Sequence, residues 1–322
     1  MRYGHVPGID KPISRLVQGC VRTSSQRQEQ DFALFDAVWE LGCNAFDTAA
    51  GYGAGDSERV LGRWVQQRGI RDKAVLITKG AHPSMVRRRV TPFDITADLH
   101  DSLANFKTDY IDLYLLHRDD PDVPVGPIVE ILSEHVRTGK IRAFGGSNWS
   151  HERLAEANAY ARDHGLIPFA VSSPNFCLAE RLGEPWAGCL AIGGPKGREA
   201  MAWYARERMP LFSWSSLAAG LFSGRFRRDN LDTFTDGLDH VCIKAYCYEE
   251  NFQRLDRAEA LAREKGCTAA QVALAYVFHQ PVDIFALLGC RNGEEFRENL
   301  AAFQLHLSPE EVAWLELARD TR

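Results

Sequence analysis

Eight short apolar segments with the character of buried strands alternate with segments of helical periodicity along this chain of 322 residues. The predicted strands are rich in β-branched, aromatic and leucine side chains, and they lie at 15–20, 44–47, 75–79, 111–117, 141–148, 169–172, 210–215 and 283–289. A helical pattern follows each strand; after the third strand it begins at Thr91 and Pro92, a capping residue followed by proline. Regular alternation of this kind builds a parallel sheet, and eight units can close it. We therefore predict an α/β protein, a (β/α)8 TIM barrel that forms a single domain over residues 1–322.

A doubly wound sheet is the alternative fold for a chain of alternating strands and helices. That fold binds dinucleotides through a glycine-rich turn after its first strand. Here Gly19 stands alone after the first strand, and the glycines around Tyr52 do not complete the fingerprint spacing. The barrel is therefore the preferred prediction.

The charge balance and the cysteines limit the partners and the compartment that we expect. A formal net charge of -5 gives no basis for binding nucleic acid or an anionic membrane. No run approaches the roughly 20 apolar residues of a membrane span, and the first residues lack the apolar core of a signal peptide. The 8 cysteines contain no C-x-x-C pair, which favours reduced thiols over a disulfide framework. We expect a cytoplasmic protein that acts on a small molecule.

Three consecutive strands end in side chains that can transfer or orient a proton. Asp47 ends the second strand, with Tyr52 five residues later, Lys79 ends the third and His117 the fourth. The carboxyl ends of barrel strands meet at one face, so we expect these four side chains to converge there. A free tyrosine has a pKa of about 10, and a nearby ammonium from Lys79 is predicted to lower that pKa toward the range of a general acid. Asp47 would supply the counter-charge for Lys79, and His117 would donate a hydrogen bond to a substrate oxygen.

Six segments between residues 46 and 300 resemble the aldo-keto reductase family: FDTAAGYG, LITKG, DYIDLYLLH, GGSNW, FSWSSLAAGLFSG and GCRNGEEFRENL. The resemblance implies reduction of an aldehyde or ketone to an alcohol by a hydride from NADPH, which the family binds across the barrel mouth without a Rossmann domain. It also implies that Tyr52 is the general acid, that Lys79 and Asp47 support it, and that His117 orients the carbonyl.

The resemblance also implies a set of cofactor-binding residues. Ser147 and Asn148 would hold the nicotinamide carboxamide, and Trp214 would stack on the ring. The pyrophosphate would be lined by Ser215, Leu217, Gly220 and Arg225. The adenosine end would be surrounded by Gly289, Arg291, Glu295, Glu298 and Asn299.

Three positions depart from the family pattern. Ser173 stands where the family usually has Gln beside the carboxamide, and a shorter hydroxyl reaches it less easily. Ser215-Ser216 replaces the usual Ser-Pro. Glu295 stands where Gln is common, and its carboxylate would repel a ribose 2′-phosphate. The guanidinium fork of Arg291 suits that phosphate, so we expect NADP(H) as cofactor, with NAD(H) as the alternative.

The loops at the active face indicate a class of substrate. They carry fixed charges and aromatic rings, and the residues that we expect to contact substrate are Arg22, Arg118 and Trp149. This mixture favours a polar carbonyl compound, such as a sugar or cyclitol derivative, over a steroid or a long alkyl aldehyde.

Two other function classes remain open at this point. A barrel of this family can act as a cofactor-sensing regulatory subunit with slow turnover, although the complete set of four proton-transfer residues favours an enzyme. A metal-dependent hydrolase built on His117, Asp119 and Asp120 would need more strand-end histidines than the chain has, so no metal site is predicted.

Overall fold

Eight parallel strands close into a barrel in the computed structural model, which describes residues 1–322. The ten strands of the chain are β1 (Tyr3–Val6), β2 (Ile9–Ser14), β3 (Leu16–Gly19), β4 (Ala45–Asp47), β5 (Val75–Gly80), β6 (Ile111–Leu116), β7 (Ile141–Ser147), β8 (Val171–Ser173), β9 (Leu211–Ser213) and β10 (Ile284–Leu288). Strands β3 to β10 follow one another around the barrel in chain order, and β10 pairs in parallel with β3 to close it. The predicted (β/α)8 barrel is confirmed.

The helices pack around the outside of the barrel. They are α1 (Gln28–Glu40), α2 (Asp56–Arg68), α3 (Pro92–Phe106), α4 (Val125–Arg137), α5 (His151–Asp163), α6 (Arg198–Glu207), α7 (Gly237–Tyr246), α8 (Glu249–Lys265), α9 (Ala269–Phe278), α10 (Gly293–Leu300) and α11 (Pro309–Leu315). The predicted start of α3 is confirmed, because the Thr91 side chain accepts a hydrogen bond from the backbone N–H of Asp94. No helix combines the length and the apolar character that crossing a bilayer requires.

The strands are buried on both faces, as a parallel barrel requires. All six residues of β6, for example, are buried. One face of the strands fills the barrel interior with residues such as Val17, Val75 and Leu113, and the other packs against the helices. These strands therefore appear in the sequence as continuous apolar runs rather than as alternating patterns.

An antiparallel hairpin of β1 and β2 covers the amino-terminal end of the barrel, a feature that the sequence did not predict. Val6, Ile9 and Ile13 pack in the same apolar cluster as the interior strand residues. The ammonium of Lys11 donates to the carbonyl of Ala74, just before β5, and forms an ion pair with Asp112 in β6. The hairpin thus seals the end of the barrel opposite the strand carboxyl ends.

Aromatic rings behind β4 fix the end of that strand. The Phe46 ring lies 5.5 Å from Phe35 and 4.9 Å from Trp64, centroid to centroid, and all three side chains are fully buried. The Trp64 indole N–H donates to a carboxylate oxygen of Asp36 at 2.8 Å. Rings of this size dominate core energetics, so this cluster holds β4, and with it Asp47, against α1 and α2.

Helix α7 lies in the long segment between β9 and α8, where the helical pattern of the sequence is weak. Its first turn contains Gly237 and Asp239, residues of low helix propensity, so the periodicity is weak. The Asp236 side chain caps it by accepting from the backbone N–H of Leu238. The helix packs against the segment 218–223, which lines the cavity described below.

Candidate active site

The four predicted proton-transfer residues meet at the carboxyl-terminal face of the barrel. Asp47 is the last residue of β4, Lys79 lies next to the end of β5, and His117 directly follows β6. These three side chains are buried, and Tyr52, in the loop after β4, is half-buried. All four line one cavity of about 800 Å³, so the predicted convergence is what the structure shows.

A buried ion pair anchors the site. The Lys79 ammonium lies 2.6 and 2.7 Å from the two carboxylate oxygens of Asp47, and it also donates to the carbonyl of Thr48 at 2.8 Å. Burial disfavours the ammonium, but the attraction of Asp47 and Tyr52 outweighs it and raises the pKa of Lys79. Burial raises the pKa of Asp47, although Lys79 opposes that shift. With three oxygen acceptors around it, Lys79 stays charged and has one fixed position.

Tyr52 lies against this pair. The Lys79 nitrogen is 5.4 Å from the centroid of the Tyr52 ring. The turn that carries the ring needs left-handed backbone at Gly53, Ala54 and Gly55, which explains why glycine occupies two of these positions. Burial raises the pKa of Tyr52 above its ordinary 10.0, and Lys79 offsets only part of the effect. The predicted lowering of this pKa is therefore corrected: the phenol keeps its proton.

His117 faces Tyr52 across the cavity. The two rings lie 5.9 Å apart, with an angle of 78° between their planes. Burial, together with the positive charges of Lys79 and Arg118, lowers the pKa of His117 well below its ordinary value. Its Nδ1 atom is buried without a hydrogen-bond partner in the protein. A neutral imidazole in this position can donate one hydrogen bond to a ligand oxygen.

The same cavity contains nearly all the predicted cofactor residues. The lining members are Ser147, Asn148, Trp214, Ser215, Leu217, Gly220, Arg225, Gly289, Arg291, Glu295, Glu298 and Asn299. Residues that also line it but were not predicted include Gln18, Arg27, Arg263 and Thr268. The sequence could have identified Thr268 as a helix cap, because its side chain caps α9. Nothing in the sequence showed that α8 and α9 border the cavity.

At the inner end of the cavity, buried polar groups are already linked to one another. The Ser147 hydroxyl donates to the carbonyl of Ser173 at 3.0 Å, and the Asn148 side-chain amide donates to Ser147 and to the carbonyl of His117. The hydroxyl of Ser173 and the indole N–H of Trp214 are buried without partners. Ser173 itself does not line the cavity, so it would reach a carboxamide only indirectly. Unpartnered polar groups beside an aromatic face fit a planar ring with an amide substituent.

The loop after β9 contains strained backbone. Ser215, Ala218 and Ala219 have positive φ angles of 54°, 53° and 52°, which are uncommon for residues other than glycine. Strain of this kind concentrates in ligand-binding segments. Ser215, Leu217 and Gly220 of this loop line the cavity, and they are residues to which the resemblance assigns the pyrophosphate.

At the outer end, the predicted phosphate-binding arginines are engaged by carboxylates. Arg291 donates to Glu295 from its side chain at 2.9 Å and from its backbone N–H at 2.8 Å. Arg225 forms an ion pair with Asp239 at 2.8 Å. The fork of Arg291 is thus turned toward Glu295 rather than presented free to a phosphate.

The predicted substrate residues have three different environments. Arg22 lines the cavity and pairs with Asp236 at 3.0 Å. Arg118 is buried and lines the cavity. The prediction that Trp149 contacts substrate is wrong, because this side chain is fully buried outside the cavity. Its indole N–H donates to the carbonyl of Arg118. A flat aromatic residue after a strand does not reveal on which side of the strand its ring will pack.

The acidic residues after His117 are also occupied. Asp119 pairs with Arg153 at 3.2 Å and Asp120 with Arg88 at 2.8 Å. The chain contains no group of three or more histidine, cysteine or acidic side chains that could hold a metal ion.

Comparisons with known proteins agree with this architecture. The sequence model of the Aldo/keto reductase family matches residues 15–319. An uncharacterized oxidoreductase of Bacillus subtilis, YrpG, is 29% identical over 96% of this chain and 93% of that protein. The norsolorinic acid reductase of Emericella nidulans is 31% identical over 90% of this chain and 72% of that protein.

Two further comparisons concern another relative and a solved structure. A probable aryl-alcohol dehydrogenase of Saccharomyces cerevisiae is 26% identical over 91% of this chain and 88% of that protein. The crystal structure of a thermostable aldo-keto reductase in complex with the inhibitor epalrestat superposes with a TM-score of 0.75 at 22% identity, covering 99% of this chain and all of that one. At that identity the superposition speaks for the fold alone.

Proposed function

The chain belongs to the aldo/keto reductase family of oxidoreductases, and from that premise we propose that it reduces the carbonyl group of a small molecule to an alcohol with a nicotinamide cofactor. The observation that carries the proposal is the arrangement of Tyr52, Lys79, Asp47 and His117 around one cavity. A protonated phenol, a fixed ammonium and a neutral imidazole at one point suit proton donation to a carbonyl oxygen.

The four residues have separate tasks in this proposal. The reduced cofactor supplies hydride when bound. Tyr52 donates its proton to the carbonyl oxygen, and the charge of Lys79 stabilises the phenolate that remains. Asp47 keeps Lys79 in place, with both carboxylate oxygens on the ammonium. His117 donates a hydrogen bond to the same carbonyl oxygen and so sets its direction.

We assign the cofactor to the length of the cavity. Ser147, Asn148 and, indirectly, Ser173 would hold the carboxamide, and Trp214 would stack on the nicotinamide ring. The strained loop 215–225 would follow the pyrophosphate. Arg291 favours NADP(H), and its pairing with Glu295 in the structure supports NAD(H) as the alternative.

A polar carbonyl compound, such as a sugar or cyclitol derivative, is the proposed substrate. The support is the presence of two arginines, Arg22 and Arg118, in the wall of the cavity. The name of one relative, a probable aryl-alcohol dehydrogenase, points to aryl alcohols, and the corresponding carbonyl compounds belong in the same assay. A clear preference for long alkyl aldehydes over both the sugar-derived and the aromatic carbonyl compounds would contradict this assignment.

Cofactor binding tests the function without knowledge of the substrate. NADPH and NADH are titrated separately into the protein while tryptophan fluorescence is followed, because Trp214 should lie beside the ring. Saturable quenching is expected, and Trp214→Phe should remove most of the quenching while retaining affinity. Absence of binding by either cofactor to folded protein would overturn the proposed function.

A further inference from the structure

Three lysine and arginine side chains are buried in this protein, and two of them pair with a carboxylate. Lys79 pairs with Asp47 at 2.6 Å, and Arg254 pairs with Glu180 at 3.5 Å. Arg118 is as buried as Arg254, with 6% of its surface exposed in each case, yet it forms no ion pair. A buried charge without a counter-charge is costly, so the exception points to a missing anion.

Neutral acceptors hold the Arg118 guanidinium in place. Its Nε donates to the carbonyl of Ala187 at 3.1 Å, its Nη1 to the carbonyl of His117 at 2.8 Å, and its Nη2 to the sulfur of Cys189 at 3.2 Å. An arginine has five N–H donors, so these contacts fix the plane of the group but leave donors and the full charge available.

The acidic residues near Arg118 have other partners. Asp119 and Asp120, which follow it directly, pair with Arg153 and Arg88. In the loop that contacts Arg118, Glu180 pairs with Arg254, and the exposed Glu184 accepts from the backbone N–H of Gly188. The protein therefore offers no carboxylate to this guanidinium.

A second arginine lies beside Cys189, outside the residues that line the cavity. Arg181 donates to the carbonyl of Cys189 at 2.6 Å, and its Nη1 atom is buried without a partner. It forms no ion pair, and its guanidinium carbon lies 6.0 Å from the centroid of the Trp214 ring. Cys189 lines the cavity and is thus held between two guanidinium groups that lack acidic partners.

We propose that the physiological substrate is a carbonyl compound that also carries a carboxylate, and that Arg118 binds this carboxylate beside the carbonyl oxygen. The inference rests on the proposed function, because it takes Tyr52 and His117 as the carbonyl site. Arg118 directly follows His117 in the chain, and both line the same cavity as Tyr52. The planar fork of arginine matches the two oxygens of a carboxylate, which a neutral sugar lacks.

Calorimetric binding of unreactive ligands tests this inference without turnover. Three pairs that carry no alcohol or carbonyl group able to exchange hydride are titrated into protein saturated with NADP⁺: acetate and acetamide, propionate and propionamide, benzoate and benzamide. For at least one pair we expect the carboxylate to bind tenfold tighter or more than its amide. Arg118→Gln should remove that preference and Arg118→Lys should retain part of it. The matched control is Arg142→Gln, which removes an exposed positive charge at the start of β7, the opposite end of the barrel, and should keep the preference.

Several outcomes would overturn the inference. One is equal binding of carboxylate and amide in all three pairs; another is an unchanged preference in Arg118→Gln. A loss of NADP⁺ affinity in Arg118→Gln as large as the loss for carboxylates would show that the missing anion is a cofactor phosphate.

A failure of the proposed function gives a different pattern. If the wild-type protein does not bind the cofactor, the same titrations into cofactor-free protein still decide whether Arg118 is a carboxylate site. If the cofactor binds, 2-oxo acids are assayed against their methyl esters. The inference expects a KM advantage of tenfold or more for the acids, and Arg118→Gln should remove it by raising KM for the acids more than KM for the esters.

Discussion

At the scale of single residues, the cavity holds a carboxylate and an ammonium that neutralise each other, beside a phenol that neither of them has ionised. The pKa of Tyr52 is raised by burial, and the Lys79 charge offsets only part of that rise. The phenol of Tyr52 therefore stays protonated near neutral pH. In the proposed reduction, its acidity would come from the stabilisation of the phenolate by Lys79, which strengthens as the proton leaves.

Tyr52→Phe tests this role directly. The substitution removes one hydroxyl and keeps the ring against Lys79, so cofactor affinity should be unchanged. A positioned general acid contributes about 10²–10⁴ in rate, and we expect kcat to fall by roughly that factor. The measurement is NADPH oxidation with the preferred carbonyl compound. Retention of more than about half the activity would assign the proton donor to another group.

The pH dependence of reduction follows from the direction of the same pKa shift. The acid must be protonated, so the rate is lost as the pH rises through the pKa of Tyr52. Because that pKa lies above 10.0 in the free protein, kcat/KM should stay level from neutral pH to about pH 10. A midpoint between about pH 7 and 9, absent from Tyr52→Phe, would contradict the raised pKa.

Lys79→Met separates the electrostatic role from stability. It leaves Asp47 buried without its partner, and breaking a buried pair in this way costs about 3–5 kcal/mol. Urea unfolding measures the loss. The double substitution Asp47→Asn with Lys79→Met should regain most of it, because no unpaired charge remains. Arg206→Gln, in an exposed pair with Glu207, serves as the control and should change stability by less than about 1 kcal/mol.

Glu295 is the residue from which we expect the largest effect on cofactor preference. Its carboxylate occupies the fork of Arg291 and would repel a ribose 2′-phosphate. Glu295→Gln should tighten NADPH relative to NADH by about tenfold, which corresponds to about 1.4 kcal/mol. Fluorescence titrations of both cofactors give the ratio. An unchanged ratio would place the 2′-position of the ribose away from this pair.

At the scale of the elements, the strands that carry the site were predictable and the elements that support it were less so. Apolar runs located the strands ending at Asp47, Lys79 and His117, because a strand buried on both faces leaves a continuous signature. The sequence did not predict helix α7, because the first turn of that helix has low helix propensity. The pairing of Arg291 with Glu295 and the burial of Trp149 depend on side-chain packing, on which periodicity carries no information.

The aromatic cluster behind β4 connects packing to the position of Asp47. Trp64→Ala should lower the free energy of unfolding by about 3–5 kcal/mol, because it opens a cavity beside Phe46 and leaves Asp36 without the indole donor. Denaturant unfolding checks the value. Trp186→Ala provides the comparison, since that side chain is 46% exposed and its loss should cost under about 1 kcal/mol. An equal loss of unfolding free energy in Trp64→Ala and Trp186→Ala would mean that the aromatic cluster does not stabilise β4.

At the scale of the whole molecule, the two ends of the barrel divide stability from function. The hairpin of β1 and β2 seals one end, and the cavity opens at the other. Ile13→Ala should therefore destabilise the protein by about 2–5 kcal/mol while leaving Kd for the cofactor unchanged. Unfolding and fluorescence titrations on the same preparation test both statements. A weakened cofactor affinity in folded Ile13→Ala would show that the ends are coupled.

The closure of the barrel by β3 and β10 also determines when the nascent chain can complete its fold. Arg15 and Ile284, which share a hydrogen bond at this seam, are 269 positions apart. At a synthesis rate of about 5–20 residues per second, the first barrel strand emerges roughly 15 to 50 s before its last neighbour exists. During that interval β3 has an open edge that could pair with other chains. The final seam of the barrel can therefore form only after β10 has been translated.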